Sequence, residues 1–121
     1  MSRRTNRLIR DVEVLVDAIE HLRTVMRGFA RLNASLARRV DDGEELVSAL
    51  ERLNGPLRRR EVTDALEEFE AARHRVRLSM FGVAEEQDAS ISEVARGLGI
   101  SRQLASRLAA EADTGRGRVA R

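Results

Sequence analysis

Residues Ser90–Ala112 read SISEVARGLGISRQLASRLAAEA, two short amphipathic runs joined by a glycine. Ser90 and Glu93 have the spacing of a capping box, in which the serine hydroxyl accepts from the Glu93 amide and the glutamate reaches back. The helix they open carries Ile91, Val94 and Leu98 inward. It must stop at Gly99, because a tight turn into another helix needs a left-handed residue, and glycine adopts that conformation without steric penalty. Ser101 then caps a second helix. That helix turns Leu104, Ala105 and Leu108 inward and leaves Ser101, Arg102, Gln103, Ser106 and Arg107 outside, a polar row with almost no apolar content.

This stretch resembles the helix-turn-helix of bacterial DNA-binding proteins, a superfamily of transcriptional repressors, resolvases and the promoter-reading region of sigma factors. Ala95 supplies the small residue of the first helix, Gly99 the turn glycine four positions on, and Val94, Leu98, Ile100 and Leu108 the apolar flanks. Ala105 departs from the pattern, which usually has Val or Ile there. The resemblance covers about a fifth of the chain, and an ordinary helical hairpin within a bundle is the alternative. It implies double-stranded DNA as partner, with the second helix entering the major groove and its first turns meeting base edges. Arg102 and Gln103 lead as base readers, because arginine matches the paired acceptors of guanine and glutamine the donor and acceptor of adenine. Ser106 and Arg107 follow one turn later. Ser90, Ser92 and Ser101 are candidates for phosphate at helix starts, with Arg96 flanking the backbone.

Composition narrows the alternatives. The chain has 121 residues, with three Phe and no Trp or Tyr. A surface that stacks unpaired bases on aromatic rings is therefore not expected. Absence of cysteine removes disulfides, thiolate zinc sites and thiol nucleophiles together. No apolar run approaches the roughly 20 residues of a membrane span, and no secretory signal precedes the first helix, so a cytoplasmic, nucleoid-associated protein is expected. All 22 basic residues are arginine. Residues 1–40 carry nine Arg against four acids, 41–95 seven against fourteen, and 96–121 six against two. Positive potential thus gathers at both ends, where phosphate would approach.

The remainder reads as helix. Residues 1–7, with Arg3, Arg4 and Arg7, form a flexible basic arm. From Leu8 to Val40 a heptad holds: Leu8, Leu15, Leu22, Phe29 and Leu36 in one series, Val12, Ile19, Met26, Asn33 and Val40 in the other. Ile9, Val16, Val25 and Leu32 widen the stripe beyond a two-stranded seam, toward a bundle. Asn33 either fixes register with a partner or lies near a fraying end. Asp41-Asp42-Gly43 breaks the helix, a short one follows over 44–53, and Asn54-Gly55-Pro56 ends that. A second long helix over 57–86 carries Val62, Leu66, Phe69, Val76, Met80 and Val83, interrupted by Arg73. Leu78, Phe81 and Ala84 at its end face the next two helices, and Gly82 marks a bend. The last residues, 113–121, form a flexible basic tail in which Arg116 and Arg118 flank Gly117 like a minor-groove contact.

The expected fold is all-α: a long antiparallel helical hairpin acting as a dimerisation region over 8–77, then a three-helix helix-turn-helix unit over 78–112. Two stripes this broad cannot cover each other, so a second copy completes the bundle. No enzyme is expected. His21 and His74 each have an acid four residues earlier, Asp17 and Glu70, and such pairs are surface links. Arg58-Arg59-Arg60 and the acidic run Glu67, Glu68, Glu70 read as solvated. No cofactor or metal is implied, no ligand pocket is evident, and an inducer is neither implied nor excluded. The function expected is sequence-specific DNA binding by a dimeric transcriptional regulator. The alternatives are a nucleoid-associated bridging protein with little sequence preference, or a coiled-coil adaptor binding protein through its helix-turn-helix.

Overall fold

The computed structural model describes residues 2–119, with the backbone alone for 116–119, and among the described residues it is all-helical with no strand. Five helices follow in order: α1 Arg3–Asp41, α2 Leu46–Arg52, α3 Gly55–Glu86, α4 Ile91–Leu98 and α5 Arg102–Val119. None is long and apolar enough to cross a membrane, among the described residues.

Most boundaries have a local cause. α1 begins at Arg3, inside the segment read as a flexible arm. Ser2 Oγ accepts from the Thr5 amide at 3.0 Å, an N-cap, and Arg4 donates to the Gly82 carbonyl at 3.1 Å, which ties the first turn to α3. α1 ends at Asp41, and the turn that follows passes through Gly43, whose φ of +100° only glycine adopts freely. Glu44 then sits between Arg39 and Arg52, at 3.5 and 3.1 Å. The next break falls at Asn54, with φ +54°, and Gly55-Pro56 open α3 rather than merely ending α2. Proline suits a first turn because its missing N–H has no helical partner there. α5 continues past Ala112 to Val119; Thr114 Oγ1 bonds back to the Ala110 carbonyl at 3.0 Å and no proline stops the helix.

The chain divides into two compact units, Met1–Leu15 with Ala71–Arg121, and Val16–Glu70. The division falls within both long helices, so the start of α1 belongs with α4 and α5 rather than with the rest of α1. In the first unit Phe81, Ala95, Ala105, Leu108 and Ala112 form a buried cluster, with Leu78, Val94, Leu98, Ile100, Leu104 and Ala109 packed against it. Ser79, also buried, donates to Asp11. In the second unit Ala18, Ala49 and Ala65 are buried, while Leu22, Phe29 and Leu36 are half-buried and Ile19, Met26 and Val40 exposed. Asn33, itself exposed, donates to the Phe29 carbonyl of its own helix at 2.8 Å.

Candidate nucleic-acid interface

The polar row on α5 is positioned by three backbone devices. Ser90 has extended backbone (φ −76°, ψ 157°) and its hydroxyl accepts from the Glu93 amide at 3.1 Å, while its own amide donates to Glu93 Oε1 at 3.0 Å. The Ser90 amide, then its hydroxyl, and then the positive charge of Arg96 hold the Glu93 carboxyl below its ordinary range, against slight desolvation. Gly99 follows in the left-handed region at φ +70°, and the Ile100 amide bonds back to the Ala95 carbonyl at 3.0 Å. Ser101 Oγ then accepts from the Leu104 amide at 3.1 Å, which starts α5. Each of these interactions satisfies a backbone group that a helix end leaves open.

With the turn fixed, α5 divides cleanly. Ala105 is 0% and Leu108 5% exposed, whereas Ser101, Arg102, Gln103, Ser106 and Arg107 are exposed. The small Ala105 shares the buried cluster with Ala95, so alanine on both helices lets them approach closely. Ser90 and Arg96 are exposed and Ser92 half-buried. Among the described residues Arg102 and Arg107 have no ion-pair partner, which leaves their charge available to an anion, whereas the Arg96 charge acts on Glu93 without a salt bridge. Ile91, read as facing inward, is 38% exposed. Its position at the very start of α4 leaves it at the edge of the cluster. The Arg116 and Arg118 side chains lie outside the described residues.

No family model, no curated protein and no solved structure matches the chain.

The histidines pair across helices rather than along them. His21 Nδ1 lies 2.8 Å from Glu68, and His74 Nε2 meets Glu111, in place of the Asp17 and Glu70 read from spacing. No group of three or more His, Cys, Asp or Glu stands ready for a metal among the described residues. Arg58 pairs with Glu61 at 3.3 Å. One feature was not legible in the sequence: a cavity of about 390 Å³ bordered by arginines of α1 and α3 and by α5. Its signal lay in Arg4, Arg7 and Arg10, three apart and thus along one helical flank.

Proposed function

We propose that this chain is a sequence-specific double-stranded-DNA-binding protein, a dimeric transcriptional regulator of the helix-turn-helix type. In this reading residues 78–112 form the DNA-binding unit, and an antiparallel hairpin of α1 and α3 over 8–77 joins two copies. The observation that carries it is the split of α5, with Ala105 and Leu108 buried and Arg102, Gln103, Ser106 and Arg107 together in solvent. Arg102 and Gln103 read base edges. Ser106 and Arg107 contact base or phosphate, and Ser90, Ser92, Ser101 and Arg96 hold the backbone. Pairing two such units sets the spacing of two half-sites and supplies the surface that one small unit lacks. The reading is of a binding protein and assigns no catalytic step, cofactor or metal; its place would be the bacterial nucleoid.

The test is selection from a random duplex pool with mass measured in solution on the same sample. The expected result is an enriched palindromic or directly repeated site bound by a dimer. Arg102→Ala with Gln103→Ala should abolish the preference, each bidentate contact being worth roughly 1–3 kcal/mol. Binding that is equal across duplexes and collapses steeply with salt would instead make this a bridging protein acting on phosphates. Retention of protein but no duplex would make it an adaptor.

A further inference from the structure

The cavity noted above is built entirely within the unit that holds α4 and α5, where three helix faces meet around about 390 Å³. α1 brings Arg4, Arg7 and Arg10 to it, α3 brings Arg75 and Leu78, and α5 brings Ala112. Four guanidinium groups around one hollow repel each other unless something answers them. Two acids also border it, Asp11, which accepts from the Ser79 hydroxyl, and Glu111, which meets His74, so the four arginines outnumber the carboxylates. Arg4 is held by the Gly82 carbonyl. Arg7, Arg10 and Arg75 have no ion-pair partner among the described residues.

We propose that this cavity binds a small amphipathic organic acid, its carboxylate held by Arg7, Arg10 and Arg75 and its apolar body laid against Leu78 and Ala112. Guanidinium forks match carboxylates with two parallel hydrogen bonds, and the volume lies within the roughly 300–1,000 Å³ of small-ligand sites. A compact, fully hydrated anion would satisfy the arginines and leave the accessible part of the half-buried Leu78 uncovered. An occupant bridges α1 and α3 to the helix whose first turn carries Arg102 and Gln103. Binding of the acid goes beyond the DNA reading and does not depend on it.

The experiment follows backbone amide shifts of the full chain, at constant ionic strength, with three probes: 4-phenylbutyrate, its neutral amide 4-phenylbutyramide, and inorganic phosphate. The acid should produce saturable shifts centred on Arg7, Arg75, Leu78 and Ala112, and bind at least tenfold more tightly than either other probe. Arg7→Gln with Arg75→Gln should lower that affinity at least tenfold while leaving the thermal melt unchanged. Arg58→Gln with Arg60→Gln, in the other unit, should leave it as it was. Equal binding of the neutral amide, equal binding of phosphate, or shifts centred on Val16–Val40 would each overturn the assignment. Because the readout uses no DNA, its failure and failure of the duplex selection are separate results.

Discussion

In the unit that holds α4 and α5, Phe81 and Leu108 are each 5% exposed, whereas among the described residues of Val16–Glu70 the buried apolar residues are alanines, Ala18, Ala49 and Ala65. Larger side chains of that second unit are half-buried, as Leu22, Phe29 and Leu36 are, or face solvent, Val47 at 65% and Val16 at 50%. One region therefore contains its own core, with Val76, Phe81 and Leu108 burying apolar area that stabilises it without help. The other brings helices together on alanine, which buries little area, and leaves Ile19, Met26 and Val40 in the heptad series of α1 uncovered. The contrast teaches that stability in the two regions has different sources. The first is intrinsic to the fold. The second leaves apolar side chains exposed, and in the proposed function another copy of the chain covers them.

The largest test of that contrast is in the core. Phe81→Ala removes the biggest buried side chain of the cluster and should cost about 3–5 kcal/mol, the usual range for a phenyl lost from a packed site. Chemical denaturation followed by circular dichroism reads it, and a loss under 1 kcal/mol would mean that the cluster is loose. The effect should be independent of protein concentration. Met26→Asp asks the converse question in the other unit. If a second copy covers Met26, the substitution removes about 2 kcal/mol or more of apolar burial, weakening dimerisation roughly thirtyfold. If nothing covers it, sedimentation equilibrium of the variant and the parent will superimpose, and the proposed dimer face is wrong.

Smaller effects sharpen the comparison at the turn between α4 and α5. Gly99→Ala meets no atom within 4 Å of the added carbon, so its penalty is purely that of the left-handed backbone at φ +70°, roughly 1–2 kcal/mol. Amide exchange should show the loss confined to α4 and α5; a neutral result would mean that the turn relaxes to another geometry. Ser90→Ala should cost about 1 kcal/mol, by removing the acceptor for the Glu93 amide.

These turn elements were legible because their signals are local. A serine three residues before a glutamate, a glycine after Leu98 and a serine before Arg102 each specify backbone geometry within a few residues, and the structure has all three. Ala105 and Leu108 were likewise readable from period. What escaped the sequence depends on partners far along the chain. Residues 3–7 have no apolar periodicity, yet they are helical because Ser2 caps them and Arg4 finds Gly82, 78 residues away. Gly115 and Gly117 suggested a tail, whereas α5 extends through both. The histidine partners Glu68 and Glu111, and the cavity between α1, α3 and α5, arise only once helices are side by side. The heptad marked an apolar stripe on α1 but not which of its series would be left exposed.

The smallest expected effect concerns acid, and it acts on α4 alone. Glu93 is held below its ordinary value near 4.5 by the Ser90 amide above all. A carboxyl depressed in the folded state contributes stability that is present above its unfolded value and disappears as pH falls through the folded one. The Glu93 cap should therefore not change between pH 8 and 5, and the start of α4 should loosen only on acidification below about 4.5. The Ser90 amide shift in a pH titration reports this directly, with a midpoint below the ordinary value near 4.5. Glu93→Gln keeps an oxygen acceptor without a titrating proton, so it should hold the cap and abolish the acid step. A Glu93 midpoint at or above the ordinary value would show that the reciprocal cap does not persist in solution, and with it would go the fixed start of α4 on which the pose of Arg102 and Gln103 rests.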